Sequence, residues 1–159
     1  MSSIREQIVE AAVDALTTDR PAEIPEPVRT RLVSPRAAQL PALTVYQGRE
    51  VVSPMRDEKA EERSSRGAVV RRALDLQIEV VTLATKSGDP ADKLADPILC
   101  WAVKSIVGSG TFNKLLNDPA DEAGTLFDYK QSKEGSFCRA TMTVRCHYQS
   151  KTDDAELIA

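Results

Sequence analysis

Residues 69–84 constrain the fold more than any other stretch. Across Ala73-Leu74-Asp75-Leu76-Gln77-Ile78-Glu79-Val80, Leu74, Leu76, Ile78 and Val80 are apolar while Asp75, Gln77 and Glu79 are polar. Side chains alternate across a strand, so the pattern predicts a ribbon from about Val69 to Ala84 with one buried and one wet face. The wet face meets either water or another subunit.

The flanking segments build an architecture around this ribbon. Ser3 followed by Glu6 fits a capping box, and Ile4, Ile8, Ala12 and Leu16 then share one helical face, ending near Thr17-Thr18. Pro21, Pro25 and Pro27 predict an extended connector. Strands are expected over Val28–Ser34 and Ala42–Gln47, with a new region starting at Gly48. After the long ribbon, Asp89 is the expected N-cap and Pro90 the first residue of a second helix. Leu94, Ile98, Trp101 and Ser105 line its core stripe, flanked by Ala95, Ala102 and Val103, and Gly108 and Gly110 end it. Thr111–Asn117 reads as an apolar connector or half-turn. Thr125–Ser132, a Glu134-Gly135 turn and Phe137–Tyr148 read as a hairpin. Ala140, Met142, Val144, Cys146 and Tyr148 share one face of its second strand. Arg139, Thr141, Thr143, Arg145 and His147 share the other.

Adjacent strands broken by one helix predict an α+β fold: a mixed, mostly antiparallel sheet of about five strands, with two main helices packed on one face. At 159 residues the chain suits a single domain over 1–150, followed by a tail at 151–159. Residues 49–67 carry five basic and five acidic side chains and cannot bury a face. They are expected to form a long charged loop, either simply solvated or an arm that orders on a partner.

A net charge of −3 argues against a dedicated nucleic-acid binder. Three cysteines are too few, and odd in number, for a disulfide framework, so reduced thiols in a cytoplasm are expected. The N-terminal stretch lacks the apolar run of a signal peptide, and no run approaches the ~20 residues that span a bilayer. A soluble protein with no membrane partner is expected.

Catalytic patterns are sparse. Cys138 and Cys146 lie ~26 Å apart on one strand at ~3.3 Å per residue. His147 points away from Cys146, so these three cannot share a zinc ion with bonds of ~2 Å. Cys138 and Cys146 read as core thiols, and Cys100, among apolar neighbours in a helix, reads as core too. Any Cys-His or Ser-His pair would have to use His147, the one histidine. No nucleophile turn or Walker loop is present, and no cofactor is expected. Glu58, Glu61 and Glu62 read as solvated charge. Arg139 and Arg145 are either solubilising charge or a contact face toward a subunit or a ring lumen.

The order of the segments resembles the phage tail terminator family, the minor tail protein U type of long-tailed phages. The resemblance runs through Ile4–Leu16, Leu40-Pro41-Ala42-Leu43-Thr44-Val45-Tyr46, Leu74–Val81, Ala91-Asp92-Lys93-Leu94 and Thr141–Tyr148. It covers nearly the whole chain through architectural patterns, not catalytic signatures. It implies a non-enzymatic virion protein at the head-proximal end of the tail, assembled in the host cytoplasm. There a homohexameric ring caps the tail tube, stops its polymerisation and offers a surface for head-neck proteins. DNA passes through the lumen without sequence-specific binding, and a contractile tail adds the last sheath ring as a partner. The charged stretch 49–67 departs from the family, so no role is carried over to it.

A closed ring needs heterologous contacts whose rotation closes. The expected interface combines the wet strand face (Asp75, Gln77, Glu79, Arg139, Arg145) with the charged loop (Arg49, Arg56, Arg63). Two other readings stand beside this one. The first is a neck or tail-completion protein joining the head connector to the tail. The second is a small enzyme using Cys100 or Cys138 with His147.

Overall fold

A computed structural model describes residues 2–29, 35–54, 69–84, 88–151 and 154–158. The elements run α1 (Ile4–Thr17), β1 (Pro27–Arg29), a 3-10 turn (Ala37–Gln39), β2 (Ala42–Pro54), β3 (Val69–Ala84), α2 (Ala91–Val107), α3 (Gly110–Asn113), β4 (Asp121–Ser132), β5 (Gly135–Lys151) and β6 (Asp154–Ile158). The fold is α+β. Its mixed sheet has the order β1-β2-β3-β5-β4, with β6 added on β5. Among the described residues only the β1–β2 pair is parallel; the other ladders are antiparallel.

Both main helices pack on one face of the sheet. From β3, Leu74, Leu76, Ile78 and Val80 enter the core, as the alternation predicts. From β5 come Cys138, Ala140, Val144, Cys146 and Tyr148, while β2 adds Leu43 and Val45. The helices contribute Ile4, Ile8, Val9, Ala12 and Leu16 from α1, and Ala95, Leu99, Ala102 and Ile106 from α2. Each large side chain buried in this way stabilises by ~1.5–3 kcal/mol. The Ser3 hydroxyl accepts from the Glu6 N–H and caps α1. Arg29 of β1 pairs with Glu6 and, at 3.8 Å, with Glu10, fixing the edge strand to that helix.

Several boundaries differ from the sequence expectations. β2 does not stop at Gln47. A bulge between Gln47 and Glu50 carries it to Pro54, so residues 49–54 are strand rather than loop, while 55–67 lie outside the described residues. Gly48 is needed there, because a Cβ would stand 2.9 Å from the Asp75 backbone carbonyl oxygen. The tail is not simply an extension, since 154–158 form β6 against the end of β5. The strand expected over 28–34 is described only as Pro27–Arg29; 30–34 lie outside the described residues.

The N-cap of α2 is Pro90, not Asp89. Asp89 instead bonds Lys93 at 3.0 Å. Ile98 and the flanking Ala95, Ala102 and Val103 of α2 are buried as expected, but the stripe is rotated: Leu94 is exposed, Trp101 is half-buried, and Ala91, Leu99 and Ile106 also face inward. Cys100 therefore points to solvent, not to the core, because it sits ~100° around the helix from Leu99. The last hairpin turns at Lys133-Glu134, and β4 starts at Asp121, four residues early. Gly135 adopts φ 138° where a Cβ would lie 2.1 Å from the Ala84 carbonyl oxygen, so that corner accepts only glycine.

Candidate interaction surface

Among the described residues, the sheet face away from the helices is open over much of its area. The exception is one end, where Pro35 of the β1–β2 connection shares a groove with Val81, Phe137 and Arg139. Ala42, Thr44 and Val81 are buried at that end. Beyond it the odd positions of β3 meet the odd positions of β5, because the register sets Asp75 opposite Arg145, Gln77 opposite Thr143 and Glu79 opposite Thr141.

The side chains on this face pair with one another. Arg145 grips Asp75 through Nε at 2.9 Å and Nη2 at 3.4 Å. The Thr143 hydroxyl donates to the Gln77 side-chain amide oxygen, Oε1, at 2.9 Å. Arg139 reaches diagonally to Glu79 at 3.6 Å. The acids are the sheltered partners: Asp75 and Glu79 side chains are 16% and 15% exposed, and each arginine 46%. Pairs this exposed on one side contribute ~0.2–1 kcal/mol each. Burial pushes the Tyr46 phenol above its ordinary value, and Glu79 adds to the shift. At the outer margin His147 lies 3.6 Å from Asp121 of β4.

The structure thus gathers five of the eight residues expected at an interface: Asp75, Gln77, Glu79, Arg139 and Arg145. They form a cross-strand ladder in which opposite charges already face each other. Arg49 stands at the β2 bulge, opposite Asp75, exposed and outside the ladder. Arg56 and Arg63 lie outside the described residues.

Two features escaped the sequence reading. The first is β4. All twelve of its residues are exposed, on both faces. Leu126 is 70% and Tyr129 57% exposed. Two helices ~10 Å across cover ~20 Å, or about four strands ~4.8 Å apart, so the outermost strand of a wider sheet stays bare. The sequence does not announce this exposure: in Leu126-Phe127-Asp128-Tyr129-Lys130, Phe127 and Tyr129 share one face, as on a strand buried on one side.

The second is a polar cluster at the opposite end of the core. Glu50 accepts from Arg72 at 3.1 Å and Arg5 at 3.4 Å, and the Tyr148 hydroxyl donates to it. Arg72 also donates to Ser150 at 2.7 Å. Glu50 and Arg72 side chains are only 13% and 12% exposed. Arg72 shares the inward parity of Leu74 and Leu76, and a charge on that parity signals a buried partner.

The thiols are separated. Burial pushes Cys146 up to about 12 and raises Cys138, so both stay protonated at neutral pH. His147 lies on the sheet face away from Cys146. Among the described residues, no cluster of His, Cys, Asp and Glu has the makings of a metal site, and no helix is long and apolar enough to cross a membrane. No protein-family model matches this chain, and no curated protein matches it.

Proposed function

We propose that this chain is a tail terminator: a virion structural protein that closes into a homohexameric ring on the end of a tail tube, halts tube growth and offers the attachment surface for the head neck. The observation that carries the reading is the one-sided sheet. Its helices cover one face, while the other face is an ordered ladder of paired charges bordered by a bare twelve-residue strand. Such a chain offers extended surface for other chains. The resemblance of its segment order to the terminator family supplies the kind of assembly.

Stopping a polymer needs a ring that matches the tube on one side and presents something unlike the tube on the other. Mixed, mutually satisfied charges suit a contact that is selective without being adhesive. The tube protein, the neck protein and, in a contractile tail, the sheath are the partners. DNA crosses the lumen.

The test is negative-stain imaging of the purified protein mixed with tail tubes. A six-fold ring at one tube end is the expected result. Tails made without the gene should be overlong. Tails of normal length without heads would identify a neck protein instead and sink the terminator reading.

A further inference from the structure

We infer that copies of this chain join edge to edge, with β4 of one copy pairing antiparallel to the outer edge of β2, near Val51–Ser53, in the next. The inference rests on the ring reading and names its contact.

Among the described residues the sheet has two open edges, on opposite sides. β4 is one: its inner side is bonded to β5, and among the described residues no strand bonds its outer side. The other is the far part of β2, since among the described residues β1 covers β2 only from Leu43 to Val45. Both edges carry exposed apolar side chains. Leu126, Phe127 and Tyr129 lie on β4, with Val51 (43% exposed) and Val52 (49% exposed) on β2. A long bare edge with apolar side chains is a template for another strand, and monomeric proteins ordinarily block it. Here the bulge between Glu122 and Gly124 disturbs only the start of β4, leaving Thr125–Tyr129 regular.

Charge and direction fit a head-to-tail contact better than a two-fold one. On β4, Asp121, Glu122 and Asp128 outnumber Lys130. Beside the β2 edge, Arg49 and Arg71 are exposed and have no ion-pair partner among the described residues. Two β4 edges brought together would set acidic strand against acidic strand. The β2–β3, β3–β5 and β5–β4 ladders are all antiparallel, so β2 and β4 run in opposite directions. Setting β4 beside the next copy's β2 therefore continues the antiparallel alternation with the helix faces on the same side. A heterologous contact of this kind repeats around a ring, whereas β4 against β4 ends at a dimer.

The faces make the contact testable. Leu126 pairs with Thr141, and Val51 and Ser53 pair with Ala73 and Arg71, so these three lie on the open face. Val52 pairs with Arg72 and lies on the helix face. In a Cys100→Ser background, Leu126→Cys is combined in turn with Val51→Cys, Ser53→Cys or Val52→Cys. The proteins are incubated with tail tubes under mild oxidant. A disulfide needs Cα atoms within ~7 Å and converging Cβ vectors, so a face-matched pair should bridge copies at ~10-fold the yield of the mismatched Val52 pair. Adding Arg49→Glu and Arg71→Glu should lower that yield several-fold through lost charge attraction. Equal bridging by matched and mismatched pairs overturns the inference. So does bridging by Leu126→Cys alone, which would mean β4 pairs with β4. Rings on tube ends without face-matched bridging refute the edge contact and leave the ring reading standing. Face-matched ladders of bridged copies without rings on tubes support the contact and refute the ring.

Discussion

β3 and β4 belong to one sheet and obey the same hydrogen-bonding geometry, yet they are opposites in burial. β3 is bonded on both sides, and Leu74, Leu76, Ile78 and Val80 vanish under the helices. Among the described residues β4 is bonded on one side only, and it buries none of its residues. The difference teaches where stability and recognition reside in a one-sided sheet. The strands under the helices hold the fold, and the strand beyond the helices is free to be specified by a partner. Perturbing each in turn can break that division.

The largest effect is expected in the centre. Leu76→Ala or Ile78→Ala, each at a fully buried position, should cost ~2–5 kcal/mol through lost transfer energy and a residual cavity. Urea unfolding of the variants measures this. A cost under ~1 kcal/mol would mean that the helix layer collapses onto the sheet freely, and that β3 is less central than its burial implies.

The polar cluster at Glu50 should come next. Glu50→Gln removes the charge that holds Arg5 and Arg72, and leaves Arg72 sheltered beside Ser150. Removing one partner of a nearly buried pair strands the other, so a loss of ~2–3 kcal/mol is expected in the same unfolding measurement. A neutral result would show that the end of the core is wet enough to hydrate the Arg72 guanidinium.

The fold was legible where a pattern is local. The β3 alternation is carried by its own residues, and the α1 stripe and cap lie within one helix. The path of β2 was hidden because its bulge adds one residue. Inward positions are odd before it, at Leu43 and Val45, and even after it, at Glu50. A change of parity at Gly48 reads as an ending. Cys100 was misplaced because apolar neighbours in sequence are not neighbours around a helix. In the candidate surface, the wet faces of β3 and β5 were each legible. The pairing of Asp75 with Arg145 was not, since seventy residues separate them and only the register joins them. The exposure of β4 depends on how wide a layer two helices can cover, which no local pattern encodes.

Thiol chemistry compares the same regions more gently. At neutral pH a thiol-reactive probe should label Cys100 quickly, and Cys138 and Cys146 only on unfolding. Cys146 has an ordinary value of 9.0 and is pushed up to about 12 in the folded chain. Between these values the folded state keeps a proton that the unfolded state has lost. Cys146 therefore contributes stability that is fully present below about pH 9 and falls by up to ~1.4 kcal/mol per unit toward pH 12. Tyr148, raised by burial and by its bond to Glu50, acts with the same sign. Cys146→Ala should make the alkaline loss shallower without abolishing it. An unchanged slope would mean that the thiol is hydrated.

The smallest effect is expected at the edge. Leu126→Ser replaces a side chain that is 70% exposed and packs on nothing in the core, so unfolding should change by no more than ~0.5 kcal/mol. The substitution sits in the middle of the bare strand, where a partner's strand would lie. Stability and assembly should therefore separate in this one variant: an unfolding curve like that of the parent, and fewer rings on tubes. If Leu126→Ser instead destabilises the monomer as a core substitution does, β4 is part of what holds the chain together. The contrast with β3 would then be one of degree, and the bare edge would have to be explained by folding rather than by a partner.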